Sequence, residues 1–195
     1  VENKFELALS RGRDSDGFDY TQALQKVLPN EIKGTSGFVT ITGEAYLKYS
    51  NLQKLNGKYP NKDLKTPKSA AGSLMVAPDK YDKEDFEGLH FIAHGGENIG
   101  TTITEKYENF IENGFEIPPY TIVFYADIPK DLTRFKEWLK TNVLDVLWKK
   151  GEQLEIPSDG VVCEKIQVSL TDRKDQYSDA NVAIKYEQWK SPQYK

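Results

Sequence analysis

Two short apolar runs separated by a polar passage constrain the fold of this chain more than any other feature. The first run, residues 89–93, leads directly into His94-Gly95-Gly96, and the second covers residues 120–125. Short apolar runs that are rich in aromatic and β-branched residues predict buried β-strands. In an α/β sheet, an ionisable residue and two glycines at the end of a strand lie at the mouth of a crevice. The two runs therefore predict neighbouring strands with His94 at the crevice.

The rest of the chain alternates between strand and helix patterns. Apolar residues at helical spacing predict helices over 18–28, from Gly43-Glu44 to Leu55, and over 130–150, with Asp127 as the cap and Gly151 as the end of the last one. Apolar runs predict strands over 5–9, 37–42, 73–77, 161–170 and 181–189. The alternation predicts an α/β fold: a mixed β-sheet with helices packed on its faces, in a single layered domain spanning residues 1–195.

Two polar segments lie between the predicted elements. Residues 56–71 are rich in lysine, glycine and proline, which predicts an exposed Lys-rich loop. Residues 97–114 join the two central strands. This passage is predicted either to form a lid over the crevice or to carry its own helix from Ile103 to Glu112.

Composition limits what this 195-residue chain can do. The net charge of −4 disfavours nucleic-acid binding, which depends on many contacts from Lys and Arg to phosphates. A single cysteine, Cys163, excludes an intramolecular disulfide and a cysteine-based zinc site. The sequence has neither a run of about 18 apolar residues nor a phosphate-binding or dinucleotide motif, so we expect no transmembrane segment and no cofactor.

His94 is the predicted centre of an active site. An imidazole at a sheet edge can act as general acid or base, and the amides of Gly95 and Gly96 would receive an anionic intermediate. Cys163 is the candidate nucleophile, and Asp127 is the candidate carboxylate that orients the imidazole. The alternative is structural: His94 bonds to a loop carbonyl while the two glycines form a turn.

The other histidine, His90, lies four residues before His94 and is predicted to share its side of the strand. At a rise of ~3.3 Å per residue, the two imidazoles are too far apart to bind one ion. We therefore predict no metal site.

Two weaker resemblances extend the enzymatic interpretation. Ile92-Ala93-His94-Gly95 resembles the His-Gly strand end of caspase-like cysteine peptidases, which implies a His94/Cys163 dyad. The order of Arg11, a strand over 38–42 and Glu152-Gln153-Leu154-Glu155 loosely resembles ADP-ribosyltransferases. That resemblance implies an ADP-ribosyltransferase-like toxin domain instead of a hydrolase.

The central stretch also resembles the Stv-like adhesin domain family of bacterial secreted and toxin-like proteins. The resemblance lies in His94-Gly95-Gly96, Phe115-Glu116-Ile117-Pro118 and Ile122-Val123-Phe124-Tyr125. It implies a bacterial effector or toxin-like protein with its site near His94, secreted or delivered into a target cell, although a cytoplasmic location stays open.

Two functions of different classes follow from these patterns. The first is a hydrolase, of the cysteine type if Cys163 takes part, acting on peptide or amide bonds of a protein substrate. The second is a non-catalytic adhesin or protein-binding module that uses exposed Tyr and Trp residues. Because the sequence begins at Val1 without Met, we expect a processed product or a piece of a longer chain.

Overall fold

The computed structural model describes residues 3–12, 17–35, 37–62, 64–158, 160–164 and 182–185. It has an α/β fold built from helices and small antiparallel sheets, which confirms the predicted fold class. The chain divides into two compact units, Val1–Pro118 (unit 1) and Pro119–Lys195 (unit 2). Each unit is described by itself below, and the single layered domain stays a prediction.

Unit 1 contains four strands and four α-helices. In chain order they are β1 (Asn3–Lys4), α1 (Thr21–Leu24), β2 (Glu31–Ile32), β3 (Thr40–Leu47), α2 (Tyr49–Lys58), α3 (Pro67–Val76), β4 (Leu89–Glu97) and α4 (Ile103–Glu112). Short 3₁₀ turns at Pro60–Lys62, Pro78–Lys80 and Lys83–Gly88 lie between α2 and β4. The predicted strand at 89–93 and the helix from Ile103 to Glu112 are thus confirmed.

The antiparallel pair of β3 and β4 is the principal sheet of unit 1. Its register runs from Leu47 opposite Leu89 to Thr40 opposite Glu97. Thr42 pairs with Gly95 while Gly43 pairs with Ala93, so His94 is the extra residue of a β-bulge. The prediction that the strand ends at His94 is therefore wrong, because β4 continues through both glycines to Glu97.

Two apolar clusters hold unit 1 together. The first packs α1, α2 and α3 against the ends of β3 and β4, with Leu47, Leu74 and Phe86 at its centre. The second lies under α4, where Phe110 is fully buried against Phe115 with their ring centroids 6.1 Å apart. Burial of rings and aliphatic side chains of this kind supplies most of the favourable free energy of folding.

The predicted loop over 56–71 is wrong at both ends, where α2 and α3 take up residues 56–58 and 67–71, and the predicted strand over 73–77 is wrong. α2 extends to Lys58, and α3 begins at Pro67 behind a capping box in which Thr66 and Ser69 satisfy each other's backbone amides. Leu64 anchors the connection, since it is 8% exposed. The lysines lie on the outside of these helices and turns, which is why the composition alone suggested a loop.

The N-terminal predictions hold only in part. Residues 5–9 make a single bridge, from Leu9 to Asp19, and α1 covers only part of 18–28. The predicted strand over 37–42 begins at Thr40 and extends to Leu47, so the helix expected directly after Gly43-Glu44 begins later, at Tyr49. Glycine is required at position 43 of this strand, because a Cβ there would lie 2.3 Å from the Phe91 ring.

The longest element in the described part of unit 2 is one helical segment. It consists of α5 (Leu132–Leu139), a π-helical turn (Lys140–Leu144) and α6 (Asp145–Gln153). The long helix is thus confirmed, but its termini differ from the prediction. Asp131 rather than Asp127 caps it, accepting a bond from the Arg134 amide, and Gly151 lies inside α6.

The remaining described elements of unit 2 are β5 (Gly160–Cys163) and β6 (Val182–Lys185), which pair antiparallel. Strand structure at residues 161–163 and 182–185 confirms part of the predicted strands over 161–170 and 181–189. Apart from Glu164, which follows β5, the other residues of those two ranges lie outside the described part. The predicted strand over 120–125 is wrong. That segment has no regular structure before the 3₁₀ turn Tyr125–Asp127, and its large apolar side chains are exposed, Tyr125 by 86%. None of the described helices is long and apolar enough to cross a membrane.

Candidate functional site

A polar cluster in unit 1 joins His90, Glu116 and Tyr46. His90 Nδ1 lies 2.7 Å from Glu116 Oε1, and the Tyr46 hydroxyl donates a 3.0 Å hydrogen bond to Glu116 Oε2. The Tyr46 and His90 rings stack with their centroids 5.3 Å apart. Both oxygens of the Glu116 carboxylate therefore have a partner, one in His90 and the other in Tyr46, and the rings of these two partners stack on each other.

Sheet register explains why these three side chains meet. Tyr46 is the direct cross-strand partner of His90, so both project from the same face of the β3–β4 pair. Glu116 follows α4 and forms a parallel bridge with Ile92, in which the Ala93 amide donates to the Glu116 carbonyl at 2.8 Å. The backbone thus fixes Glu116 beside His90.

The cluster is only partly accessible to solvent. The side chain of His90 is 19% exposed and that of Glu116 48%, while Tyr46 is 4% exposed. Tyr46 therefore forms a rigid support. Because the contact with Glu116 occupies Nδ1, the second imidazole nitrogen of His90 remains for a ligand, which is the arrangement of an oriented general base.

A pocket of about 310 Å³ lies beside this cluster. Its volume is at the lower end of the range of small-molecule sites. It is lined by Lys26, Val27, Leu28, Pro29, Lys83, Phe86, Glu87, Leu89, His90, Phe91, Gly114, Phe115 and Glu116. All of these residues belong to unit 1, and they combine an apolar wall with a few polar groups.

His94, the predicted centre, occupies the bulge of β4 and is exposed. Bulges are frequent next to active sites, since the extra residue re-aims a side chain. Within the described part of the chain, the His94 side chain makes no hydrogen bond or ion pair. The bulge also interrupts the strand alternation that predicted His90 and His94 on one side of the strand.

Gly95 and Gly96, the predicted oxyanion donors, lie within β4 opposite Thr42 and Ile41. The Gly96 carbonyl accepts a 2.7 Å hydrogen bond from Lys106 Nζ. A Cβ at Gly96 would lie 2.3 Å from the Thr40 carbonyl oxygen, so the absence of a side chain there is a packing requirement. The oxyanion role stays a prediction.

Cys163 and Asp127 both belong to unit 2, whereas His94 belongs to unit 1. Cys163 is the last residue of β5 and is half-buried, and burial raises the pKa of its thiol. Nucleophilic cysteines have a lowered pKa, so this shift opposes the predicted role. Asp127 is exposed at the end of its 3₁₀ turn. In the described parts of unit 2, Asp127 and Cys163 share no hydrogen bond.

The groups of the ADP-ribosyltransferase-like layout are also distributed between the units. Arg11 is an exposed residue of unit 1, while in unit 2 Glu152 lies in the last turn of α6 and Glu155 follows the helix. The pair of glutamates therefore does not lie on a strand. Searching the described residues for three or more His, Cys, Asp or Glu side chains that could hold a metal ion finds no such group.

From the sequence, His90 had no predicted role, Glu116 stood only inside a motif, and Tyr46 only within a predicted helix. Two signals were present. Glu116 lies inside the Phe-Glu-Ile-Pro motif that was noted for its resemblance, and Tyr46 precedes an apolar Leu47 in a segment assigned to a helix. Assigning that segment to a strand would have placed Tyr46 in position to pair with the central strand.

No protein-family model matches this chain, and a search of curated proteins gives no match. The resemblance to the Stv-like family therefore stays a prediction from the quoted motifs. The same holds for the resemblance to caspase-like peptidases.

Proposed function

We propose that unit 1 carries a histidine-centred acid–base site and that His90, rather than His94, is its general base. The observation that carries this proposal is the 2.7 Å contact between His90 Nδ1 and Glu116 Oε1 beside a 310 Å³ pocket. A carboxylate on one imidazole nitrogen orients the ring and favours the imidazolium that forms when the other nitrogen accepts a proton.

The chemistry that suits this arrangement is hydrolysis by an activated water. His90 Nε2 would take a proton from water as its oxygen attacks an amide carbonyl carbon. The carbon–nitrogen bond then breaks, and the imidazolium returns the proton to the departing amine. The products are one carboxylic acid and one amine, so a water and an amide are consumed without a further reactant. This keeps the predicted hydrolase class but does not require Cys163.

The wider biological role follows the sequence. An effector- or toxin-like protein, secreted or delivered into a target cell, is proposed on the resemblance of the central motifs to the Stv-like family. The pocket supports only the enzymatic part of that proposal.

The two histidines of β4 provide a matched test. Turnover of amide probes, including N-acetyl amino acids and amino-acid p-nitroanilides, would be measured for the wild type, His90→Gln and His94→Gln. We expect His90→Gln to abolish hydrolysis and His94→Gln to retain it. Loss with His94→Gln alone would move the site to the bulge, and no turnover of any probe by the wild type would overturn the hydrolase assignment.

A further inference from the structure

The pocket beside His90 has chemically different sides. One side is an apolar wall of three buried residues, Phe86, Leu89 and Phe115, with exposures of 2%, 3% and 8%. Lys26, Lys83 and Glu87 also line the pocket but are exposed, so the charged groups lie where it meets solvent. A ligand that fits both sides has an apolar body and a charged end.

Lys26 is held in place by an aromatic ring rather than by a carboxylate. Its Nζ lies 4.0 Å from the centroid of the Phe86 ring. A cation–π contact favours the ammonium position without neutralising its charge. No carboxylate among the described residues lies within ion-pair distance of Lys26 or Lys83, in contrast to Lys58, which pairs with both Asp82 and Asp85. A carboxylate of a ligand would therefore not compete with a described carboxylate of the protein for these two ammonium groups.

The two carboxylates that line the pocket, those of Glu116 and Glu87, differ in whether they already have hydrogen-bond partners. Both carboxylate oxygens of Glu116 are already bound, one by His90 and the other by Tyr46. Glu87 is exposed, and its side chain makes no hydrogen bond or ion pair within the described part of the chain. Glu87 would repel an anion, so removing its charge should strengthen the binding of a carboxylate and weaken that of an amine.

We infer that the substrate is a small N-acylated amino acid or short peptide end with an apolar side chain and a free carboxylate. Its side chain packs against Phe86 and Phe115, its carboxylate pairs with Lys26, and its amide bond lies toward His90. This inference rests on the proposed hydrolysis for the amide, but the carboxylate and the apolar side chain follow from the pocket itself. The small volume of the pocket favours one such residue over an extended polymer.

The test uses N-acetyl-L-phenylalanine and its uncharged analogue N-acetyl-L-phenylalaninamide, which differ only in the carboxylate. Binding to the whole chain would be measured by calorimetry or ligand-observed NMR. We expect the acid to bind the wild type roughly ten-fold more tightly than the amide, since a charge-assisted contact is lost. Lys26→Gln should remove that difference, and Glu87→Gln should increase it.

Equal affinity for the acid and the amide, or no binding of either, would overturn the inference. Lys26 is exposed, so Lys26→Gln should fold normally, which circular dichroism verifies. His90→Gln separates the two proposals: it should keep the preference for the acid over the amide but hydrolyse neither. Binding with this pattern and no wild-type turnover would reject the hydrolase and keep the ligand class.

Discussion

Nδ1 of His90 lies 2.7 Å from Oε1 of Glu116, although the two residues are 26 positions apart in the chain. The pairing depends on three independent pieces of backbone: β3 supplies Tyr46, β4 supplies His90, and the segment after α4 supplies Glu116. Because each piece is fixed by backbone hydrogen bonds, the carboxylate and imidazole meet without ordering a flexible loop. Such preorganisation is what an acid–base site requires.

Tyr46→Phe tests whether the hydroxyl positions this pair. The variant keeps the ring that stacks on His90 and loses the hydrogen bond to Glu116 Oε2. We expect a loss of about 1 kcal/mol in the free energy of unfolding, measured by urea denaturation. If Tyr46 acts through Glu116, turnover should fall while the affinity for substrate is unchanged. Unaltered turnover together with the stability loss would leave Tyr46 a purely structural role.

Asp85 should make the stability of unit 1 depend on acid pH. Burial raises the pKa of Asp85, but hydrogen bonds from Lys58, Tyr59 and the Asp82 amide outweigh it, so the pKa lies below its ordinary value of 3.8. A lowered folded-state pKa stabilises the fold above the ordinary pKa, and that stability disappears as the pH falls through the folded value. Wild-type stability should therefore decline below about pH 4.

Asp85→Asn should reduce stability by about 1–2 kcal/mol at neutral pH and flatten this acid decline. Denaturation midpoints measured across the acid range give both effects. Glu84→Gln is the matched control, because Glu84 is an exposed neighbour whose side chain makes no hydrogen bond within the described residues. An Asp85→Asn variant with the full wild-type acid decline would contradict the assignment.

The sequence predicted those elements whose signals are local. A helix from Ile103 to Glu112 was one of the two alternatives for residues 97–114, and α4 has these bounds, with a capping box formed by Thr102 and Glu105 at its start. β4 was likewise evident from its apolar run. The segment 120–125 has a similar composition yet forms no strand, since a strand also needs a partner, and pairing is a tertiary property that a single run does not encode.

The site was harder to predict than the elements. His94 was predicted as the centre of the site because two glycines follow it. At position 96, however, glycine is required because a side chain would contact the Thr40 carbonyl oxygen. The bulge at His94 can be recognised only from the pairing of β3 with β4. His90, Glu116 and Tyr46 are brought together by strand register. No spacing in the linear sequence encodes that register.

Gly72→Ala should stabilise the protein. Gly72 lies inside α3, and a Cβ there would meet no atom within 4 Å. Since glycine costs about 1 kcal/mol relative to alanine in a helix, we expect a gain of that size in denaturant unfolding. Gly34→Ala is the control: it has the same free space but a φ of +76°, so it should destabilise instead. An increase in the free energy of unfolding for both variants would show that the positive φ at Gly34 does not destabilise an alanine there.

Cys163 should react slowly with thiol reagents at neutral pH. Burial raises the pKa of this thiol, and the thiolate is the reactive form. Alkylation by iodoacetamide, followed by mass spectrometry, should therefore be slower than that of a free cysteine and should reach the free-cysteine rate on unfolding in urea. Hydrolysis by Cys163→Ala should equal that of the wild type. Fast alkylation of the folded protein together with loss of turnover would restore the cysteine mechanism.

Gly95 and Gly96 distinguish an oxyanion site from a packing requirement. A Cβ at Gly96 would lie 2.3 Å from the Thr40 carbonyl oxygen and 3.1 Å from Ile99 Cγ2, whereas at Gly95 it would meet only Thr42 Cβ, at 3.7 Å. Gly96→Ala must therefore shift the β3 backbone and should destabilise the fold by about 1–3 kcal/mol, while Gly95→Ala should be nearly neutral. Both variants leave their own amides in place, so turnover per folded molecule should be unchanged if the site is at His90. A large loss of turnover in Gly95→Ala, with stability retained, would instead place the reacting group beside the bulge at His94.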